Sequence, residues 1–419
     1  MKRTELSRRS LLKGAAAAAV AAPYVMTSTA LGNADTPPAS ERVTLGHIGV
    51  GGRGSGLLSG FLNCKGVQCV AAADPYKSRR EAAAAKMKGQ AYADFRELLA
   101  RPDIDGVVIA TPDHWHVPLA MYAARAGKDA YVEKPLGVTI EEDLRCGKLF
   151  KERGRIFQYG TQQRSSQHCR FGCELVRSGK LGEVHTIEVI APNGGKGGST
   201  QEIPVPPDLD YNLWIGPAPL KPFTASRCNP PGTYWIYDYS IGYLGGWGAH
   251  PLDIMVWGSE ADLSGPVVIE GTGEIPTEGL YDTVYNWDMR GMLGKVKFTF
   301  KPGGDSTKFI GPEGWIDIRR GGITAEPKSL LQLKLGADDV HLQESPRQDQ
   351  NFVDAIKSRK AAVSPVADAV RSDVISLLCD IAVRTKRKIT WDWKQEKIVG
   401  DDEAAKLAKV RPMREPWTL

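Results

Sequence analysis

The chain has 419 residues and a formal charge of +5, long enough for two domains that each bury a sizeable core. Lys2, Arg3, Arg8, Arg9 and Lys13 outweigh Glu5 at the start, so the remainder is near +1, and the basic balance gives no argument for nucleic acid or an anionic membrane as partner. Seven cysteines without repeated spacing exclude the disulfide framework of small secreted domains and read as mostly free, buried thiols.

The first element is an export signal over 1–34. Ser7-Arg8-Arg9-Ser10-Leu11-Leu12-Lys13 opens an apolar stretch that runs to Ala22, and Gly32-Asn33-Ala34 offers small residues for cleavage before Asp35. Pro23 and Thr27-Ser28-Thr29 interrupt that stretch short of the ~20 residues a membrane span needs. The pattern predicts the twin-arginine (Tat) export machinery as a partner, an extracytoplasmic or periplasmic location, and folding before export. Residues 35–42 read as a polar linker.

From Val43 the pattern alternates. Val43–Val50, Val67–Asp74, Gly106–Ala110 and Asp129–Glu133 are short apolar runs suited to buried parallel strands, and helical stretches follow from Gly54, over Lys77–Lys88, Val117–Ala126 and Ile140–Arg153. Phe95–Leu99 lies between the second and third runs. This order predicts right-handed crossovers and a doubly wound α/β domain over 43–165. Around Thr186 to Val189 the character changes, with strand-like runs near 267–272, 284–289, 296–301 and 315–318, predicting an α+β domain over 166–419 with an open, mostly antiparallel sheet. Helical patterns over 351–358 and 366–385 close it.

Gly49-Val50-Gly51-Gly52-Arg53-Gly54 follows the first strand, opens the first helix and precedes Asp74 by about 20 residues, the dinucleotide fingerprint. Gly49 permits the turn, Gly51 lets the backbone approach a pyrophosphate, and Gly54 packs helix on sheet. Asp74 would accept from ribose hydroxyls and repel a 2′-phosphate, favouring NAD over NADP, although Lys77, Arg79 and Arg80 offer an alternative phosphate site. Thr111-Pro112-Asp113-His114-Trp115-His116 ends a strand where ligands bind in open sheets. Its two histidines, and Cys169 and Cys173 beside His168, lack the ligand set of a metal centre, so no metal is expected. Glu133-Lys134-Pro135 ends the next strand and delivers a lysine to the same edge, with Pro135 a candidate for a cis bond.

In that order these motifs, with Gly160-Thr161-Gln162-Gln163-Arg164, Leu213-Trp214-Ile215-Gly216-Pro217-Ala218-Pro219, Gly248-Ala249-His250-Pro251-Leu252-Asp253, Trp391-Asp392 and Arg414-Glu415-Pro416-Trp417, resemble an exported bacterial branch of the Gfo/Idh/MocA family of sugar and polyol oxidoreductases. The resemblance implies an N-terminal NAD(P)-binding Rossmann domain and a second domain whose open sheet often forms oligomer contacts, hence a homo-oligomer. It implies a cofactor site of Gly49, Gly51, Gly52, Arg53, Gly54, Asp74, Thr111, Pro112, His116, Glu133, Lys134 and Gln163. Catalysis would fall to Lys134, binding the reacting hydroxyl, and to His250 as acid/base, a role that an imidazole with an ordinary pKa of about 6.5 suits. Many members carry an aspartate four residues before that histidine, where this chain has Gly246; Asp238 or Asp253 is a candidate replacement, Asp253 equally a packing or capping group. Trp235, Tyr237, Tyr239, Tyr243 and Trp247 surround the segment, half or more of them expected in the core and the rest free to stack on a sugar.

The expected function is a nicotinamide-dependent oxidoreductase acting on a sugar, polyol or glycoside. Free NAD is scarce outside the cytoplasm, so the cofactor is expected to be tightly bound and recycled in place. One alternative is a redox-neutral, NAD-dependent glycoside hydrolase working by transient oxidation at C3 and elimination. A second is a non-catalytic exported sugar-binding protein.

Overall fold

Apolar runs buried on both faces build the first sheet. β1 (Val43–Ile48), β2 (Val67–Ala73), β3 (Gln90–Tyr92), β4 (Gly106–Ile109), β5 (Asp129–Val132) and β6 (Phe157–Tyr159) lie in the order β3-β2-β1-β4-β5-β6. All five pairings are parallel. The computed structural model describes residues 38, 41–230, 232–259 and 265–419; the expected export signal and most of the expected linker lie outside the described residues. Helices α1 (Gly52–Leu62), α2 (Lys77–Met87), α3 (Phe95–Leu99), α4 (His116–Arg125) and α5 (Ile140–Arg153) make the crossovers. Their starts follow local chemistry: Asp94 accepts from the Arg96 amide and Thr139 from the Glu142 amide. The strand order reverses between β1 and β4, which opens a crevice at their carboxyl ends.

After α6 (Gln167–Arg177) and β7 (Thr186–Ala191), the short helices α7 (Tyr211–Ile215), α8 (Gly232–Trp235) and α9 (Tyr243–Gly246) lead into α10 (Ala249–Gly258). The second sheet adds β8 (Val267–Glu274), β9 (Asn286–Leu293), β10 (Val296–Pro302), β11 (Ser306–Gly311), β12 (Gly314–Arg319) and β13 (Gly322–Glu326). Helices α11 (Gln348–Ser358) and α12 (Val366–Thr385), strands β14 (Ile389–Asp392) and β15 (Lys397–Ile398), and α13 (Asp402–Leu407) complete the chain. The nine strands run β13-β12-β11-β7-β10-β9-β8-β14-β15. Pairing is antiparallel except between β7 and β10, which are parallel. The sheet is thus mostly antiparallel, as the alternation in its strands predicts.

Helix α12 packs against α5 and β6 on one side and against α10 and β8 on the other. It therefore joins both sheets into one continuous core running from Ile48 and Val132 to Val374, Phe298 and Trp391. Further strands were not anticipated from sequence: β3 and β6 are three residues long, β11 and β13 follow or contain glycines, and β14 and β15 lie beyond α12. All seven cysteines are buried free thiols. Cys173, whose thiol faces the Ile254 carbonyl at 3.9 Å, sits in the core.

Candidate active site

The glycine loop builds one end of the site. Gly49 has φ +79°, and a Cβ there would stand 2.7 Å from the Ala110 carbonyl oxygen; a Cβ on Gly54 would stand 1.9 Å from the carbonyl oxygen of Gly49. Only glycine allows this turn and this approach of helix to strand. Gly54 accordingly packs beneath the loop, while Gly49, Gly51, Gly52 and Arg53 line a cavity of about 450 Å³. No side chain caps α1, so the amides of its first turn remain available to an anion. Asp74 anchors the loop by accepting from the Val50 amide at 2.8 Å and the Tyr76 amide at 2.9 Å. Burial raises its pKa, and these amides oppose the rise. Its carboxylate keeps lone pairs for a diol. The fit to a dinucleotide is good.

A long strap closes over that end. The Lys77 amide donates to the Asp208 carbonyl, the Asp210 amide to the Pro75 carbonyl, and Ser78 donates through amide and hydroxyl to the Asp208 carboxylate. Trp214, Cys228 and Tyr234 thereby line the cavity opposite Asp74 and Arg79. The Arg79 guanidinium lies 3.8 Å over the Tyr76 ring and is the cation of its segment that reaches the cavity; Arg80 instead donates to the Asp74 and Pro75 carbonyls. From the end of the chain, Trp417 packs on Phe95 and Trp115, both cavity residues.

The other end gathers the acid/base groups. Thr111, Pro112 and His116 line it, and His116 is fixed between the Pro135 carbonyl (2.7 Å) and the Thr111 carbonyl (2.9 Å). Glu133 takes the Arg53 guanidinium at 2.7 Å and the Gln162 amide at 3.1 Å. Lys134, held by a cis Lys134–Pro135 bond, donates its ammonium to the Gly246 carbonyl. His250 stands in the first turn of α10, buried, edge-on to Trp247 at 6.0 Å, its Nδ1 without a partner among the described residues. Burial, with Lys134, Arg320 and Arg53 nearby, pushes its pKa well below 6.5, and burial also lowers that of Lys134. A neutral imidazole and a desolvated ammonium therefore share one cavity, the combination that takes a proton from a hydroxyl while stabilising the alkoxide that develops.

Several expectations need revision. Gln163 does not line the cavity; it donates to Asp305 at 3.3 Å, and its neighbour Gln162 faces Glu133 instead. The two lie on a tight 3₁₀ turn, where successive side chains point apart, and adjacent identical residues cannot be told apart by pattern. Neither candidate replaces the missing aspartate. Asp238 pairs with Lys221 at 2.6 Å. Asp253 is fully buried in a two-pronged pair with Arg164, both contacts 2.7 Å. The Gly246 carbonyl takes the lysine, and Asp113 is a nearby carboxylate, tied to Ser240 at 2.6 Å. Of the five aromatics singled out, Trp247 lines the cavity; Trp235 and Tyr239 are buried in the core, Tyr243 packs on Trp235, and Tyr237 lies between Arg384 and Arg411. Tyr234 and Arg320 reach the cavity unannounced by any motif.

Two family models match the chain: the NAD-binding Rossmann fold of the oxidoreductase family over residues 43–161, and that family's C-terminal alpha/beta domain over 193–419. The chain belongs to the Gfo/Idh/MocA family of oxidoreductases. It is 34% identical over 135 residues to an uncharacterized oxidoreductase of Rhizobium meliloti, covering 32% of this chain and 40% of that one. It is 32% identical over 169 residues to an alpha-N-acetylgalactosaminidase of Shewanella oneidensis, covering 35% and 34%. The alignments thus span well under half of these relatives. A putative myo-inositol dehydrogenase from Sinorhizobium meliloti shares the fold at a TM-score of 0.57 and 17% identity, over 83% of this chain and 99% of that structure. This Gfo/Idh/MocA protein therefore carries the family's NAD-binding Rossmann fold and its C-terminal alpha/beta domain.

Proposed function

We propose that this enzyme oxidises a hydroxyl of a sugar, polyol or glycoside, with NAD as a tightly held cofactor. The observation that carries the reading is the meeting of Lys134 and the neutral, buried His250 in the cavity that the glycine loop and Asp74 line. A nicotinamide dinucleotide bound there supplies a hydride acceptor that can also return the hydride. Gly51, Gly52 and the first turn of α1 would hold its pyrophosphate, Asp74 its adenosine ribose, and Glu133 with Thr111 its nicotinamide end. His250 takes the proton of the substrate hydroxyl, and Lys134, held by the Gly246 carbonyl, donates a hydrogen bond to the oxygen as negative charge develops on it.

The preference for NAD over NADP rests on the buried carboxylate of Asp74, which a 2′-phosphate would have to approach. Tight retention rests on the strap residues Trp214 and Tyr234, which wall the cavity, on Asp208, which ties the strap down, and on Trp417 packed behind the cavity residues Phe95 and Trp115. The twin-arginine pattern supports export of the folded, loaded protein, and the family's open sheet supports self-association. Similarity to an alpha-N-acetylgalactosaminidase favours a second reading, redox-neutral cleavage of a glycoside, for which a cofactor that never leaves is sufficient. The convergence of acid/base groups supports either reaction over a non-catalytic sugar-binding protein.

The test is native purification followed by absorbance and mass spectrometry of the nucleotide, then a panel of sugars, polyols and aryl glycosides without added NAD. A change in the bound nucleotide's absorbance with a free sugar or polyol supports the oxidoreductase, and aglycone release supports the glycosidase. Protein that carries no dinucleotide and takes none up would overturn both.

A further inference from the structure

One wall of the cavity carries a cation that the proposed reaction does not use. Arg320 occupies the turn between β12 and β13, far in sequence from every motif, yet lines the cavity beside Lys134, Trp247 and His250. Its guanidinium lies 5.1 Å over the Trp247 ring, and that ring stands edge-on to His250. The carboxylate facing it, Asp305, is 3.7 Å from Nε, beyond hydrogen-bond distance, and is shared with Gln163; the Arg320 side chain remains 49% exposed. Stacking thus fixes where the fork sits, while among the described residues no hydrogen-bond acceptor holds it.

The surrounding charges sharpen the point. Arg53 is neutralised by Glu133, and Asp113 is bound to Ser240. Lys134 and Arg320 therefore bring two positive charges to the reaction end, with Asp113 and, 3.7 Å from Arg320, Asp305 the carboxylates set against them. Trp247 adds an indole N–H that has no partner among the described residues. A planar, weakly hydrated guanidinium at such a place matches an oxyanion through two parallel hydrogen bonds.

We propose that the substrate carries an anionic oxygen substituent on its sugar, a carboxylate or a sulfate, and that Arg320 is the residue that selects it. The inference rests on the carbohydrate reading above and names the class of carbohydrate. Because Trp247 touches both Arg320 and His250, an anion on the guanidinium would set the sugar's distance from the base, so Arg320 acts in positioning as well as affinity.

The experiment is a titration of dinucleotide-loaded protein, followed by tryptophan fluorescence, with matched methyl glycosides, methyl uronides and methyl glycoside 6-sulfates in the gluco, galacto and manno series. The wild type should bind a uronide or a sulfate at least about tenfold tighter than the matching neutral glycoside, the charge-assisted contact being of that order. Whichever of the two gains more identifies the anion. Arg320→Gln should reduce that ratio to within about twofold, and Arg320→Lys should restore part of it; retained dinucleotide shows that the site is still assembled. Equal binding of charged and neutral sugars by the wild type, or an undiminished ratio in Arg320→Gln, would overturn the proposal. If neutral sugars alone change the bound nucleotide's absorbance, the carbohydrate reading stands and the Arg320 assignment falls; if no sugar of any class binds, both fall.

Discussion

In the proposed reaction, Lys134 and His250 divide the chemistry by charge state. The ammonium is positive and a donor, the imidazole neutral and an acceptor, and burial enforces the second condition. Protonation of His250 removes the acceptor, so kcat/KM should fall on the acid side with a midpoint below 6.5; a pH profile measured with a reacting sugar checks this, and an acid limb centred above 7 would contradict it. Lys134→Ala should lower kcat by about 10²-fold or more while leaving bound dinucleotide in place. Near-wild-type turnover in that variant would remove Lys134 from the mechanism. Beneath the site, Arg164 is fully buried between Asp253 and Asp368. Asp253→Ala strips the guanidinium of its two-pronged partner and should cost about 3–5 kcal/mol of stability, read by denaturant unfolding.

At the level of elements, position matters more than identity. Helix α1 can point its first turn into the crevice because Gly54 lets it lie on the Gly49 carbonyl. Gly54→Ala must push the helix outward, and dinucleotide retention should drop at least about tenfold while the second sheet stays folded; equilibrium dialysis and circular dichroism read the two effects. Helix α10 places His250 near its start and is held from behind by the Asp253 pair, so one helix carries both the proposed base and its anchor. The strap is held to the start of α2 by Asp208 and to Pro75 just before it by Asp210, residues that no sequence motif distinguishes. Removing the buried Trp417 side chain, in Trp417→Ala, should cost about 3–5 kcal/mol and loosen the wall that Phe95 and Trp115 form.

For the whole molecule, α5 and α12 bring Asp143 and Asp373 together at the junction of the two sheets. Both are fully buried, and the Gly137 amide donates to Asp373. Burial raises both; the Asp373 charge raises Asp143 further, while hydrogen bonds from the Gly137 amide and the protonated Asp143 restrain Asp373, which is still pushed up to about 6. A folded-state pKa above the unfolded one means the folded protein holds the extra proton, so stability present near pH 4 is lost as pH rises through about 6. Asp373→Asn keeps an acceptor for Gly137, offers Asp143 a donor and abolishes that loss. Its melting temperature should match the wild type near pH 4 and exceed it at pH 7, by the equivalent of about 1–3 kcal/mol.

The sequence by itself determined what depends on local periodicity and on backbone conformation. Alternating strands and helices from Val43 to Arg153, the glycine loop with Asp74, and the Glu133-Lys134-Pro135 turn were legible because each is specified within a few residues of itself. The resemblance, not the residues alone, drew His250 into the site. Only the tertiary structure decided what meets across long separations. It brought the Gly246 carbonyl to Lys134 where a side-chain carboxylate was sought, turned Gln162 rather than Gln163 toward Glu133, and set Arg320 and Tyr234 in the cavity wall. Those outcomes depend on how two sheets pack around α12, and a backbone carbonyl leaves no mark in a sequence because every residue carries one.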